Sequence, residues 1–342
     1  MEDGDGGAGP RLCLAGSGGG HLRQLIDLEP TWSRYDSYMV TEDSALGRSM
    51  AERVPVDFVA HYTLGQARIG RPLRMIGGAL KNLVQSFRSV AARRPDMVVT
   101  TGAAAMFWTV VFARLRGARI VYVESFARFE HPSKFGRVVR HLADDVVIQS
   151  PGLARHWPEA RLFDPFRLLE GEAPPKRELI FATVGATLPF PRMTDAIVAM
   201  KTGGALPEEL VVQTGDGGLL PARADGLRQF EALPYSEIRA LLAEAKIVVT
   251  HGGTGSLITA LQAGCRVVAV PRSLRLREIY DGHQEQIVAA FVARGLIERV
   301  DDIAELPAAL ARARARTPRL ATTDASALAA WLDGELQAMT RA

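Results

Sequence analysis

The hydrophobic positions fall into short β-branched runs separated by longer stretches with helical spacing. The runs of the first half predict strands at 11–15, 37–41, 56–59, 97–100, 119–123 and 145–149. Those of the second half predict strands at 179–183, 209–213, 228–232, 247–250, 267–270 and 296–300. Alternation of strands and helices is typical of parallel sheets covered by helices on both faces. The pattern therefore predicts an α/β protein.

The alternation stops once, at residues 163–178 (FDPFRLLEGEAPPKRE), where three prolines, a glycine and several charges replace any apolar period. Such a segment is typical of a linker between domains. A chain of 342 residues is long enough for two domains of about 150 residues each. We therefore expect domains at 11–165 and 176–320, with a C-terminal helix at 323–342 that could pack back on the first domain.

Composition narrows the class of protein. Hydrophobic residues make up 47% and charged residues 23% of the chain, which excludes a disordered or fibrous protein. Cys13 and Cys265 lie in apolar runs, so we expect buried, reduced thiols. Residues 1–9 are acidic and glycine-rich, as in a flexible tail and unlike a signal peptide. The uncharged stretch 97–113 is short for a membrane span, and Thr-Thr-Gly interrupts it, so a strand, a turn and a helix are expected there.

The net charge is only +3, yet no acidic residue occurs between Asp57 and Asp96, where seven basic residues lie. Pro72 can begin a helix, and its apolar residues recur at spacings of three and four, at 73, 76, 80, 83, 87 and 90. Arg74, Lys81 and Arg88 flank that stripe. Two interpretations stay open: a helix that lies on an anionic membrane, and an ordinary helix whose apolar stripe packs on the sheet.

Two glycine-rich loops follow predicted strands and precede predicted helices. The first contains Ser17, Gly18, Gly19, Gly20 and His21. Glycines let the backbone approach a ligand closely, and an imidazole has an ordinary pKa near neutrality, which suits a general base. A tight turn with an incidental histidine is the alternative.

The second glycine-rich loop combines glycines with two hydroxyls, and its residues are His251, Gly252, Gly253, Thr254, Gly255 and Ser256. Amide donors at the start of a helix suit a diphosphate, and the loop lacks the lysine of a nucleoside-triphosphate-binding loop. A purely structural turn is the alternative. Farther on, Asp281, His283 and Gln284 begin another predicted helix and could contact sugar hydroxyls or form a solvated helix cap.

These three segments together resemble a GT-B glycosyltransferase. GSGGGH, PDMVVTTG, VYVESFAR and HLADDVVIQS are similar to the membrane-associated acceptor subunit of the N-acetylglucosaminyltransferase that makes lipid-linked chitobiose. ATVGAT, LPYSEIRALLAEAKIVVTHGGTGSLITAL and DGHQEQIV are similar to its donor-binding subunit. Bacterial exopolysaccharide glucuronosyltransferases of the gellan and welan type are similar too, and the resemblance covers nearly the whole chain.

The resemblance implies two Rossmann-like domains whose parallel sheets face a central cleft. It implies an acceptor domain at 11–165 and a donor domain at 176–320 that binds a UDP-sugar, with Thr183, Gly185 and Arg272 among the donor-binding residues. The other partners it implies are a lipid-diphosphate-linked sugar acceptor and the anionic surface of the inner membrane, and not nucleic acid. We therefore expect a peripheral protein on the cytoplasmic face of that membrane.

The sequence departs from the family pattern in the donor half. Thr259 stands where a carboxylate usually holds the ribose, and Gly282 stands where the chitobiose enzyme has asparagine. The connector before Asp281 is rich in arginine, with Arg272, Arg275 and Arg277. A guanidinium could bind the carboxylate of glucuronate, so UDP-glucuronate is the expected donor, in exopolysaccharide assembly. Another UDP-hexose such as UDP-N-acetylglucosamine is the alternative, and the arginines could equally be a surface charge cluster.

The resemblance also implies a single inverting displacement with UDP as the leaving group. His21 is the first candidate for the base, and Glu124 the second, although a structural Glu124–Arg128 ion pair explains that carboxylate equally well. Asp3-Gly4-Asp5 in the tail is the single D-x-D motif, so we expect no metal and no other cofactor. A UDP-sugar epimerase and a non-catalytic donor-binding protein remain alternatives.

Overall fold

The computed structural model describes residues 9–62, 72–185, 188–279 and 282–341. The chain divides into two compact units. Unit 1 comprises the chain up to Pro165 together with the C-terminal segment from Asp324, and unit 2 comprises Phe166–Thr323.

The strands, in chain order, are β1 Leu12–Gly16, β2 Ser37–Glu42, β3 Val56–Val59, β4 Met97–Gly102, β5 Arg119–Val123, β6 Asp145–Ile148, β7 Arg161–Leu162, β8 Phe166–Leu168, β9 Arg177–Thr183, β10 Glu209–Gln213, β11 Leu227–Phe230, β12 Ala245–His251, β13 Arg266–Val270, β14 Ile297–Arg299 and β15 Ala321–Thr323. The helices are α1 Gly20–Ile26, α2 Glu29–Trp32, α3 Ala45–Met50, α4 Pro72–Arg93, α5 Phe107–Leu115, α6 Lys134–Val139, α7 Pro191–Thr202, α8 Tyr235–Glu244, α9 Thr254–Gln262, α10 His283–Ala293, α11 Leu306–Ala315 and α12 Ser326–Arg341. Each of the twelve predicted strands is present, with its ends moved by up to two residues.

Unit 1 is built on one sheet with the strand order β3-β2-β1-β4-β5-β6-β7, in which every neighbouring pair is parallel. The interior strand β1 is buried on both faces: Leu12 and Leu14 lie in one apolar cluster, and Cys13 and Ala15 lie in another. Successive side chains of a strand point to opposite faces, so a strand covered by helices on both sides must be apolar throughout. Helix α12 packs on the first of these clusters through Leu328, Leu332 and Leu336.

Unit 2 repeats this plan with the strand order β11-β10-β9-β12-β13-β14, again with parallel neighbours throughout. Ile180, Val249 and Val268, on three adjacent strands, lie in one apolar cluster together with residues of α7 and α11. The parallel α/β architecture expected from the sequence is therefore confirmed in both units.

The predicted linker at 163–178 is partly wrong. Residues 166–168 form β8, which pairs antiparallel with β15, and Phe166 lies opposite Thr323. Next to this sheet, the amide of Asp324 donates to the carbonyl of Pro165 at 2.7 Å. The two places where the chain passes between the units therefore lie side by side, a pairing between distant residues that local sequence does not reveal.

The uncharged stretch 97–113 and the two cysteines can also be compared with the predictions. The uncharged stretch 97–113 forms β4, a short 3-10 turn and most of α5, and none of the helices in the described ranges is long and apolar enough to cross a membrane. Both cysteines are buried and free, and burial raises the pKa of the Cys13 thiol to about 12 and that of Cys265 to about 11. Thiols of such high pKa are unreactive.

Candidate functional site

The first glycine loop, residues 16–21, joins the interior strand β1 of unit 1 to α1. A Cβ on Gly16 would lie 2.8 Å from the side chains of Leu25 and Thr101, so the loop must pass through a space that only glycine fits. Gly19 has a φ of +77°, which glycine adopts readily. A Cβ on Gly19 or Gly20 would meet no atom of the described chain within 4 Å. The exposed end of the loop thus leaves its backbone accessible to a ligand.

His21 lies at this exposed end and is oriented by β4. Its ring nitrogen Nδ1 lies 2.7 Å from the carbonyl oxygen of Thr101, and the Thr101 hydroxyl donates to the carbonyl of His21 at 2.9 Å. A carbonyl can only accept, so Nδ1 carries the proton and the neutral ring has its lone pair on Nε2. A half-buried imidazole held in that tautomer is suited to remove a proton from a hydroxyl.

Glu124, the second candidate base, is in a different situation. It is completely buried, and its two carboxylate oxygens accept the amides of Ser125 at 2.9 Å and Ser133 at 2.8 Å. Burial raises the pKa of Glu124, while these two amides and the charge of Arg128 act in the opposite direction. The structure therefore does not place Glu124 as an accessible base. It fastens the two ends of the loop between β5 and α6, and the Arg128 charge contributes to that arrangement.

Sequence reasoning missed a buried amide network behind this loop. Gln149, after β6, donates to the Gln24 side chain at 2.6 Å and to the Glu124 carbonyl at 2.7 Å. The same oxygen of Gln24 accepts the amide of Phe126 at 3.1 Å. Gln24 follows His21 by one helical turn, so this network fixes the helix that carries the imidazole. The one available signal was the spacing of Gln24 from His21.

The second glycine loop, residues 251–256, follows the central strand β12 of unit 2. The imidazole of His251 lies between two glycines: a Cβ on Gly185 would approach its Cε1 to 2.6 Å, and a Cβ on Gly253 would approach it to 2.8 Å. Gly185 also has a φ of +89°. The amide of Gly253 donates to the His251 carbonyl at 2.7 Å. Because β9 and β12 are neighbours, their carboxyl ends bring this pair of loops together, where α/β proteins bind ligands.

Two buried polar side chains shape the same edge of the sheet. The Thr183 hydroxyl donates to Gln213 at 2.8 Å and accepts the amide of Gly185 at 3.2 Å, so it holds the loop after β9. Gln284 accepts the amide of Arg272 at 3.0 Å. A Cβ on Gly252 would lie 2.9 Å from the Cβ of Gln284, so glycine is needed for α10 to pack there. The structure thus gives Thr183, Gly252 and Gln284 supporting positions beneath the loop.

Three loop residues form the start of α9. Thr254 and Ser256 are half-buried and Gly255 is exposed. They begin a helix of nine residues, whose first amides have no partner within the helix and favour an anion. The Thr259 hydroxyl donates to the Gly255 carbonyl at 2.7 Å, within its own helix. Asp281 and the side chain of His283 lie outside the described residues.

Arg272 is not placed as expected for a residue that reads a sugar carboxylate. It is buried, and its guanidinium donates to the carbonyls of Val184 at 3.3 Å, Leu188 at 2.7 Å and Pro189 at 3.1 Å. It also lies over the ring of Phe190, 4.6 Å from the centroid. Burial lowers the pKa of Arg272. The structure thus gives Arg272 the role of holding the backbone of the loop after β9.

Replacing Arg272 with lysine is expected to lower the free energy of unfolding by about 2 kcal/mol, because one ammonium cannot span three carbonyls that guanidinium geometry matches. Chemical denaturation of the variant measures the loss. The exposed Arg275→Lys is the control and should unfold as the wild type does. Equal stability of the two variants would contradict the role given to Arg272.

Helix α4 of unit 1 presents its apolar side to solvent. Its buried positions include the small polar residues Asn82, Ser86 and Ser89, and the Asn82 amide donates to the carbonyls of Ala60 and Ala105. Leu80 is 62% exposed and Phe87 is 49% exposed. The interpretation in which the whole apolar stripe packs on the sheet is therefore wrong, although Val90 is buried.

Helix α5 extends this surface. The Phe87 ring contacts Phe112 at 5.4 Å between centroids, and Phe112 stacks on Trp108 at 6.0 Å. We call the combined surface the α4–α5 face; its apolar members are Ile76, Leu80, Val84, Phe87, Trp108, Phe112 and Leu115. Lys81 and Arg88 are exposed on α4, and the side chain of Arg74 lies outside the described residues. Large exposed apolar surfaces are typical of interaction sites.

Solved structures with the same arrangement define the class. The glycotransferase of kitacinnamycin superposes with a TM-score of 0.64 at 17% identity, covering 97% of this chain and 96% of that one. A UDP-GlcNAc 2-epimerase from Methanocaldococcus jannaschii superposes with a TM-score of 0.55 at 12% identity, over 90% and 92% of the two chains. With its two parallel-sheet α/β units, the chain therefore has the GT-B fold of glycosyltransferases.

Each half of the chain is similar to a different family. Residues 12–165 match the family described as oligosaccharide biosynthesis protein Alg14 like, and residues 179–335 match the glycosyltransferase family 28 C-terminal domain. The UDP-N-acetylglucosamine transferase subunit ALG13 of Eremothecium gossypii is 29% identical over 172 residues, which is 40% of this chain and 82% of that protein. The human subunit ALG14 is 26% identical over 171 residues, which is 44% of this chain and 79% of that protein.

A longer match extends across both halves. The UDP-N-acetylglucosamine–N-acetylmuramyl-(pentapeptide) pyrophosphoryl-undecaprenol N-acetylglucosamine transferase of Synechococcus sp. (strain WH7803) is 25% identical over 315 residues, which is 84% of this chain and 82% of that protein. These matches support a glycosyltransferase with similarity to both subunits ALG13 and ALG14 in a single chain.

Proposed function

We propose that the protein transfers a hexosyl unit from a UDP-sugar to a sugar carried on a lipid diphosphate, with inversion at the anomeric carbon. The observation that carries this proposal is that one chain holds two glycine loops, each following an interior strand of its own parallel sheet. The first loop presents His21, and the second leads into the amides of α9. The names of the relatives, which include lipid-linked acceptors, support the acceptor class.

In this proposal the second loop binds the diphosphate of the donor. The amides at the start of α9 and the hydroxyls of Thr254 and Ser256 stabilise the charge that develops on UDP as it leaves. His251 is held beside them by Gly185 and Gly253. His21 removes the proton from the acceptor hydroxyl as the glycosidic bond forms. We propose no metal for this reaction, and activity should persist in EDTA.

The identity of the donor sugar is the finer part of the proposal. The arginine-rich connector favours UDP-glucuronate. The guanidinium of Arg272, however, donates its hydrogen bonds to three backbone carbonyls. The glucuronate proposal therefore depends on the exposed Arg275 and Arg277 alone. UDP-N-acetylglucosamine, the sugar nucleotide in the relatives' names, is the alternative donor. A role in exopolysaccharide assembly depends on the glucuronate proposal.

The proposed activity is tested by incubating the protein with a panel of UDP-sugars, with and without a lipid-diphosphate-linked glucose acceptor. The proposal predicts UDP release that requires the acceptor, and the preferred sugar identifies the donor. A UDP-sugar epimerase shares the fold, but it converts its substrate without an acceptor. Acceptor-independent conversion of one UDP-sugar into another would contradict the proposal and favour the epimerase.

We further propose that the α4–α5 face lies on the anionic surface of the inner membrane, from the cytoplasmic side. The face combines exposed aliphatic and aromatic side chains with Lys81 and Arg88, in a segment without acidic residues. Such a surface can insert its apolar side chains among lipid headgroups while its cations attract anionic lipids. A peripheral position brings the protein to an acceptor that is anchored in lipid.

Reversing two charges on this face is expected to weaken membrane binding, because each basic residue contributes about 1 kcal/mol near an anionic surface. Lys81→Glu/Arg88→Glu should bind anionic vesicles more weakly than the wild type in co-sedimentation, and added salt should weaken wild-type binding. Arg223→Glu/Arg239→Glu makes the same change at exposed positions of unit 2 and is the control. Undiminished binding by the α4 variant would remove this face from the membrane.

A further inference from the structure

The connector between β13 and α10 is held at both of its ends by one ion pair. The Arg192 guanidinium donates to both carboxylate oxygens of Glu278, at 2.8 and 2.9 Å, and to the carbonyl of Pro271 at 2.8 Å. Glu278 in turn accepts the amide of Ser273 at 2.8 Å. This half-buried ion pair ties both ends of a short excursion of the chain to α7. The residues between the ends, 273–277, are called the connector tip below.

The connector tip exposes two leucines. Leu274 is 46% exposed and Leu276 is 51% exposed, although the chain around them is ordered by hydrogen bonds. The amide of Arg277 donates to the carbonyl of Leu274 at 3.1 Å, and Arg277 has a φ of +58°, which is rare for a residue other than glycine. A non-glycine residue held in a left-handed conformation suggests that the shape of a turn has a function. The fixed ends of the connector thus keep the side chains of Leu274 and Leu276 exposed to solvent.

The charge of the connector tip is entirely positive. Arg275 and Arg277 are exposed, and the sequence SLRLR contains no acidic residue. The carboxylate next in sequence, Glu278, is already paired with Arg192. A third exposed leucine, Leu188, lies on the adjacent loop, where its carbonyl accepts from Arg272 at 2.7 Å. A partner that fits this surface must therefore offer apolar groups to the leucines and negative charge to the two arginines.

We propose that the connector tip is a second lipid-contacting element, located in unit 2 and separate from the α4–α5 face. Leu274 and Leu276 insert at the boundary between headgroups and acyl chains of an anionic bilayer, and Arg275 and Arg277 bind lipid phosphates. This role leaves neither arginine for a donor carboxylate, so it favours UDP-N-acetylglucosamine over UDP-glucuronate as the donor. The chemistry of an anionic bilayer fits the tip because it supplies hydrocarbon beneath a layer of negative charge.

The proposal is tested with the full-length protein and vesicles of phosphatidylcholine with phosphatidylglycerol, with pure phosphatidylcholine as comparison. Leu274→Ser/Leu276→Ser is expected to lower partitioning into the anionic vesicles by about tenfold. Leu168→Ser/Leu219→Ser removes two exposed leucines from elsewhere in unit 2 and should bind as the wild type does. Equal partitioning of the tip variant and the wild type would overturn the proposal.

A second measurement does not depend on the loss of binding. Leu276→Cys can be labelled with an environment-sensitive dye, because Cys13 and Cys265 are buried. The emission should shift to the blue when anionic vesicles are added, and hardly at all with phosphatidylcholine. A dye that remains in water on bound protein would overturn the proposal, as would a blue shift in concentrated protein without vesicles, which would indicate contact between two copies. Neither measurement uses a donor or an acceptor, so both are independent of the proposed activity.

Discussion

Replacing His21 with alanine is expected to lower turnover by about 10²–10⁴-fold, the usual contribution of a general base, with almost no change in UDP affinity. The reason is the fixed tautomer: Nδ1 donates to the Thr101 carbonyl at 2.7 Å, so the lone pair on Nε2 is the group that can accept the acceptor's proton. Steady-state kinetics with saturating donor measure the loss.

Two variants make this result specific. His141→Ala removes an exposed histidine elsewhere in unit 1 and should retain wild-type turnover. Glu124→Ala leaves the amides of Ser125 and Ser133 without their buried acceptor, so we expect the variant to unfold at a lower temperature than the wild type. An active His21→Ala combined with an inactive but normally stable Glu124→Ala would reverse the assignment of the base.

Replacing Gly253 with aspartate is expected to raise the dissociation constant of UDP by about 100-fold or more, through two effects. Its Cβ would lie 2.8 Å from Cε1 of His251, so the imidazole must leave its place between two glycines. Its carboxylate would also stand where the amides of α9 are proposed to bind a diphosphate. Titration calorimetry with UDP measures the change.

The matched control for Gly253→Asp is an alanine in open space. Gly334→Ala lies in α12, where a Cβ meets no atom of the described chain within 4 Å, and it should leave UDP affinity unchanged. Gly253→Ala separates the two effects, because it displaces His251 without adding charge. If Gly253→Asp binds UDP as the wild type does, the second glycine loop is not the diphosphate site.

The strands were predictable because parallel strands that are buried on both faces appear in the sequence as continuous apolar runs. The glycines of the loops that follow them are likewise consecutive or nearly so in the sequence. The role of these glycines in tight turns could be predicted from the sequence, because it depends on local backbone geometry. The β8–β15 pair was not predictable. It joins residues separated by more than half of unit 2, and three-residue strands leave no periodicity to detect.

Side-chain roles were harder to predict than positions. Arg272 and Glu124 were both placed near the correct strand ends, but a sequence does not show that a guanidinium meets three carbonyls or that a carboxylate meets two amides. Helix α4 illustrates the same limit. Its apolar stripe is equally compatible with an inward and an outward orientation, and the buried Asn82, whose amide bridges two carbonyls, decides between them.

The most direct test of the proposed reaction is the configuration of its product. The protein is incubated with an α-linked UDP-sugar, identified by the donor panel, and a lipid-diphosphate-linked glucose with a short chain, and the anomeric coupling of the new bond is measured by NMR. The account predicts one β-linked sugar added per UDP released, because a single displacement assisted by His21 inverts the anomeric centre. An α-linked product, or UDP release without a new glycosidic bond, would contradict it.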